Sequence, residues 1–155
     1  MKSLTVAIII LLGLVAVQAM AVARPTAVKV TIVVNTHFNG DPAEVLEITV
    51  PGCTTLTTTV TDQSGPQHKE LGSMDIFTGE KLFDCEGAGT FILEYRATTD
   101  LEKPDVWGGD VGVWKVTDGT GDFAGAQAHG RLVGTAFEDG SGITDAWSGV
   151  MTLRN

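Results

Sequence analysis

"WKVTDGTGDFAGAQAHGRL", Trp114 to Leu132, is the stretch whose reading decides the fold. Its glycines stand at 119, 121, 125 and 130, between runs that alternate apolar and polar residues. Such a stretch can cradle a phosphate, or it can simply turn a chain. A dinucleotide-binding turn needs G-x-G-x-x-G between a strand and a sizeable helix. Here the third glycine comes one residue late, and "AQAHGRLVGTAF" returns at once to strand alternation. A Walker loop needs Lys followed by Ser or Thr, and none follows these glycines. Asp118 and Asp122 flank the turn and would repel a phosphate. The stretch therefore reads as a structural corner. A strand ends at Thr117, an Asp-Gly turn follows, and one irregular helical turn sends Phe123 inward as a plug. Gly119, Gly121 and Gly125 supply backbone freedom and close packing there, and the next strand is expected to start near Gly130.

Working outward, period-two alternation dominates the chain. In "TFILEYRAT", Phe91, Leu93, Tyr95 and Ala97 share one face, while Glu94, Arg96 and Thr98 share the other. Tyr95 and Arg96 are adjacent, so only one of them can face a barrel interior. In "VKVTIVV", Val28, Val30, Ile32 and Val34 share a face. "GVWKVT", "GRLVGTAF" and "DAWSGVMTL" behave likewise, and "TTLTTTVT" is rich in β-branched residues that suit a pleated surface. Turn residues punctuate these runs at "NGDP", "PGC", "QSGP", "TGE", "EGAG", "DGTGD" and "EDGSG". "GDPAEVLEI" carries helix-start residues, Asp41, Pro42 and Glu44, ahead of a short apolar run. It predicts a brief turn or a single helical turn, then a strand. Many short strands with little helix predict an all-β antiparallel sandwich or barrel.

The chain opens with one cation, Lys2, followed by an apolar run from Leu4 to Ala23. Small residues lie in cleavage spacing at Val17 and Ala19 and again at Ala21 and Ala23. Residues 1–23 are thus expected to be a secretory signal peptide, cleaved after Ala23, with Ala19 as the alternative. Residues 24–155 would form one domain, secreted or periplasmic, with no membrane contact after cleavage. The rival is an uncleaved membrane anchor, because about 20 apolar residues can span a bilayer. The formal charge is −9, and loss of Lys2 with the leader takes the remainder to about −10. A chain this acidic repels nucleic acid and anionic membranes.

Cys53 and Cys85 are an isolated pair. In an exported chain such a pair favours a disulfide, worth about 3–4 kcal/mol in the chain-entropy account. A catalytic thiol is the rival, and it would want a nearby base and a reducing setting. Two cysteines and three scattered histidines show no zinc spacing. Asp118, Asp122, Asp139 and Asp145 lack the D-x-D-x-D spacing of a calcium loop and read as turn-formers and solubilising charges. No metal and no cofactor is expected.

The pattern W-x-V-x-x-G-T-G-x-F-x-G-A-x-x-x-G, Trp114 to Gly130, resembles the signature of the allene oxide cyclase and dirigent-like barrels. "DCEGAGTFILEYRA", Asp84 to Ala97, and the closing "GITDAWSGVMTL" are similar to strands of the same barrels. The resemblance covers about the last half of the chain. It departs from the plant dirigent pattern, which carries Arg-Gly soon after the Phe; here Gln127-Ala128 stands instead, followed by His129. The resemblance implies a closed, calycin-like antiparallel barrel of about eight strands, with a cavity able to hold a small apolar ligand.

No catalytic constellation is legible. His129 could act as a base, but no nucleophile or acid stands in a recognised spacing with it. His37 and His68 fall in polar turns. Trp114 and Trp147 lie in alternating strands and read as core, whereas Trp107 lies in a loop and hints at a binding mouth. Tyr95, Trp107 and His129 are the candidate ligand-binding residues. Three functions remain. A binder of a small hydrophobic ligand predicts a mainly apolar lumen without a matched acid–base pair. A cofactor-free cyclase or isomerase predicts converging ionisable groups with shifted pKa values. A structural or surface protein predicts a lumen filled by its own side chains. The balance of the sequence leans away from an enzyme.

Overall fold

The computed structural model describes residues 26–67, 74–100 and 110–154. The leader, His68 and Trp107 lie outside the described residues. Eight strands follow in chain order: β1 Ala27–His37, β2 Glu44–Ile48, β3 Leu56–Gln67, β4 Met74–Cys85, β5 Gly89–Asp100, β6 Val111–Gly119, β7 Gln127–Ala136 and β8 Gly142–Thr152. A single 3₁₀ turn, Gly121–Phe123, joins β6 to β7. All pairings are antiparallel, in the order β2-β1-β8-β7-β6-β5-β4-β3. The sheet curls into a nearly closed barrel, one of the two architectures that the alternation allowed. Its seam lies between β2 and β3, which no ladder joins among the described residues. Strand β2 is short because Pro42 and Pro51 bracket it, and neither can donate to a ladder.

Alternation places the core as the sequence indicated. Val30, Ile32 and Val34 of β1, Phe91, Leu93 and Ala97 of β5, and Leu132 of β7 are all buried in the lumen. Each fully buried side chain of this size contributes about 1.5–3 kcal/mol. Register shifts at Val33/Val34 and Ile92/Leu93 mark bulges, which bend strands and so help the sheet to close. Trp114 and Trp147 are both core, as expected. Trp114 fits because glycines lie beside it: it pairs with Gly130, which pairs with Gly149. A Cβ on Gly149 would come within 2.7 Å of Trp114 Cζ2. The Trp114 indole N–H donates to the Arg131 carbonyl at 2.9 Å.

Two turn readings are corrected. "TGE" is no turn, because Gly79 sits inside β4, directly opposite Tyr95. "QSGP" lies inside β3, where the register slips between Ser64 and Gln67. Proline is tolerated there because β3 is an end strand of the sheet, so the missing N–H interrupts no second ladder. The ambiguous "GDPAEVLEI" resolves as a turn and then β2, without helix. Asn39 competes for Asp41, accepting its backbone N–H at 3.0 Å and donating to its carboxylate at 2.8 Å. That interaction sets a turn in place of a helix cap.

The glycine stretch is a corner, with shifted bounds. Strand β6 continues to Gly119, and β7 begins at Gln127, three residues before Gly130. Gly121 has φ +58°, and a Cβ there would collide with the Ala88 carbonyl. Phe123 is fully buried and meets Phe91 with ring centroids 5.1 Å apart. Phe91 stacks on Phe83 at 5.1 Å, Phe83 meets Trp147 edge-on at 6.5 Å, and Trp147 meets Tyr95 at 5.4 Å. An aromatic column thus climbs the lumen from the plug to its other end. At the plugged end Cys53 and Cys85 are bonded to each other, with Cα atoms 5.1 Å apart. The bond ties the β2–β3 connection to the end of β4, holding the seam where no ladder holds it. It also removes the free-thiol reading.

Phe123→Ala should lower stability by about 3–5 kcal/mol, the range for emptying an aromatic core site. Charge reversal at the exposed Asp122 should stay within about 0.5 kcal/mol. Denaturant melts of both variants check the corner, and a Phe123→Ala protein that melts like the parent would remove it.

Candidate functional site

At the end opposite the plug, the lumen opens into a cavity of about 280 Å³. Thr36 and His37 from β1, Lys81 from β4, Tyr95 from β5, Leu132 from β7, and Asp145 and Trp147 from β8 line it, with Asp110 just ahead of β6. Phe38 and Val60, both more than a third exposed, form its rim. Gly79, buried in β4 two residues before Lys81, puts no side chain opposite Tyr95.

The cavity floor is a buried ion pair. Lys81 and Asp145 are 4% and 6% exposed, and Nζ lies 2.6 Å from Oδ2. Lys81 also donates to Thr36 Oγ1 at 3.0 Å, and its Nζ sits 5.3 Å from the Trp147 ring centre. The Thr36 hydroxyl donates in turn to Asp145 Oδ2 at 3.4 Å. Removing two charges from water costs several kcal/mol per ion, and only close geometry with extra hydrogen bonds offsets it. Here that geometry is present: one salt bridge, one bridging hydroxyl and one aromatic face.

Above the pair stand two groups held in their neutral direction. The Tyr95 phenol is pushed up to about 12, first by burial and then by the negative charges of Asp145 and Asp110. The Asp110 carboxyl is raised as well, first by burial; the Thr99 hydroxyl, which donates to it, pulls the other way, and Asp145 adds a smaller upward push. Burial disfavours the ionised form, and nearby like charge does the same.

Tyr95 is the member of the Tyr95–Arg96 pair that faces inward; Arg96 is exposed. His129 lies elsewhere. It is exposed on the outer face of β7, flanked by Lys115 and Val150, and does not line the cavity. The reason is parity: Ala128 and Leu132 point inward, so His129 points out. Asp145 corrects its reading as a turn-former, since it is buried and salt-bridged. Asp139 does form a turn, accepting from the Ser141 N–H at 2.9 Å and the Ser141 hydroxyl at 2.7 Å. His37, assigned to a polar turn, ends β1 at the mouth and packs edge-on against Phe137 at 5.6 Å. Lys81 and Asp110 were missed. A signal for Lys81 existed, since in "GEKLFDC" it shares parity with Phe83 and Cys85. Asp145 shares parity with Ile143, Trp147 and Met151 in "GITDAWSGVM" in the same way. Opposite charges on two apolar faces are the mark of a cross-lumen pair.

In comparisons with known proteins, no family model, curated protein or solved structure matches the chain. The site is therefore argued from its own residues.

Lys81→Met and Asp145→Asn should each lower stability by about 3–5 kcal/mol, because each leaves a buried charge unpaired. The double replacement Lys81→Met with Asp145→Leu should be neutral, or stabilising by up to about 4 kcal/mol. Chemical denaturation of the three variants measures this; single variants that melt like the parent would mean that the pair is not desolvated.

Asp110 gives a pH signature. Its raised folded pKa means that the folded state binds a proton more tightly than the unfolded chain. Ionised Asp110 therefore costs stability above its folded pKa, and the cost vanishes once pH falls below the unfolded value of 3.8. Asp110→Asn should melt higher than the parent at neutral pH, with the gap closing through the acid window. A gap that is constant with pH would contradict the assignment.

Proposed function

We propose that this chain is an exported ligand-binding barrel whose open-end cavity holds one small molecule. The observation that carries the reading is the cavity itself, about 280 Å³, with apolar walls from Leu132, Trp147, Val60 and Phe38 over a polar floor. Binding sites commonly pair apolar lining with a few convergent polar groups. Below the floor the lumen is packed with side chains from Phe83 to Phe123, so a wholly filled structural barrel fits only that half. The polar floor favours a ligand with a hydrogen-bonding head over a purely apolar one. The disulfide supports export into an oxidising compartment. The eight-stranded barrel agrees in architecture with the allene oxide cyclase and dirigent-like resemblance, but one barrel hosts many functions.

A cofactor-free isomerase or cyclase is the second reading. It is favoured by the convergence of Lys81, Asp145, Tyr95 and Asp110, the very feature that distinguishes it from a passive binder. Against it, Lys81 and Asp145 neutralise each other, and a phenol near 12 gives up no proton at neutral pH. General acid–base catalysis works best with groups poised near the working pH. Asp110 and His37, which also line the cavity, are the groups left to take part in proton transfer.

Native mass spectrometry of the protein secreted from its full-length gene tests the binding reading. A small molecule should remain bound under native conditions and dissociate on denaturation. Val60→Trp, at the half-exposed rim, should narrow the mouth and abolish that mass while leaving the melt unchanged. Equal occupancy in Val60→Trp would place the ligand elsewhere, and a parent protein free of any bound mass would count against the reading.

A further inference from the structure

The ligand-binding reading leaves the ligand's charge open, and the cavity speaks to it. We propose that the cavity selects a small amine carrying a hydroxyl or carbonyl, with its ammonium on Asp110 and its body against Trp147 and Tyr95. The inference rests on the ligand-binding reading above and adds the chemical class.

Charge bookkeeping points this way. Lys81 is already matched by Asp145, so the floor pair is neutral as a unit. Asp110 is matched only by the Thr99 hydroxyl, and no cation pairs with it among the described residues. Among the described residues, the cavity therefore carries one half-buried carboxylate that no cation offsets. An anionic ligand would meet the Asp110 carboxylate, and the Lys81 charge is already offset by Asp145. A cation instead meets the Asp110 carboxylate beside aromatic faces, and both attract ammonium groups. The Tyr95 phenol, raised first by burial, is raised further by the same negative charges.

The acceptor end has its own observation. Trp147 is 1% exposed and lines the cavity, yet its indole N–H has no hydrogen-bond partner. A buried indole N–H normally finds one. Lys81 has three N–H donors, and two are used, on Asp145 and Thr36. The third Lys81 N–H at the floor and the Asp110 carboxylate nearer the mouth fit a ligand that is cationic at one end and accepting at the other. The modest volume limits it to a small molecule.

Four probes separate the contributions: tyramine, phenethylamine without the hydroxyl, 4-ethylphenol without the amine, and 4-hydroxyphenylacetate with the charge reversed. Calorimetric titration at neutral pH should rank tyramine first. Loss of the amine should cost at least about tenfold in affinity, the scale of a charge-assisted hydrogen bond in a half-buried site. Charge reversal should cost more, and loss of the hydroxyl should cost a measurable factor. In Asp110→Asn the gap between tyramine and 4-ethylphenol should close. Equal binding of tyramine and 4-ethylphenol, tightest binding of 4-hydroxyphenylacetate, or a gap that survives Asp110→Asn would each overturn the amine assignment. So would failure of all four probes to bind. In each of these cases a copurified mass lost in Val60→Trp would still uphold the ligand-binding reading.

Discussion

The Lys81–Asp145 pair spans the lumen, from β4 on one wall to β8 on the opposite one, and the upper half of the barrel is arranged around it. The two strands stand four places apart in the sheet order, so no ladder connects them. A buried ion pair is a poor source of net stability, because desolvation consumes most of the Coulombic gain. Its value lies in geometry. Lys81 cannot swing out without stranding Asp145, and Thr36 bonds to both, which draws in β1 as a third wall. The pair divides the lumen into two regions of different character. Below it, the aromatic column from Trp147 to Phe123 fills the space. Above it, a cavity remains.

The two ends of the barrel solve opposite problems. At the plugged end the chain must close a tube whose first and last strands in the sheet do not pair. It does so with Phe123 from inside and the Cys53–Cys85 bond at the seam. At the open end the lumen is left unfilled, lined by Thr36, Tyr95, Leu132 and Trp147. Glycine thus serves two purposes in this fold. At Gly121 it allows a left-handed backbone in a tight corner; at Gly149 it makes room for the Trp114 ring.

The electrostatic layout of the cavity follows from its depth. Buried at the floor, the charges are matched and fixed. Nearer the mouth, Asp110 stands half-buried beside the Thr99 hydroxyl, and burial raises its carboxyl. Burial first, and then the charges of Asp145 and Asp110, hold the Tyr95 phenol in its neutral form across the physiological range.

Fold class was legible in the residues because β alternation is a local property. Each inward side chain, from Val30 to Met151, follows from parity along its own strand, and the glycine spacing of Trp114 to Leu132 excluded a phosphate loop without any coordinates. The disulfide was legible too, since two cysteines allow only one pairing. Strand limits were less so: "TGE" and "QSGP" look like turns, yet they lie within strands, because a lumen-facing glycine and an edge-strand proline are tolerated only once neighbours are known. The site was the least legible. Lys81, Asp110 and Asp145 come from three distant segments, and Lys81 and Asp145 showed only as charges of inward parity in apolar runs. Which charge meets which depends on the order of strands around the barrel and on which walls end up opposed. Burial, pairing and the shifted pKa values are properties of that closed surface, so they come into existence only when the sheet curls.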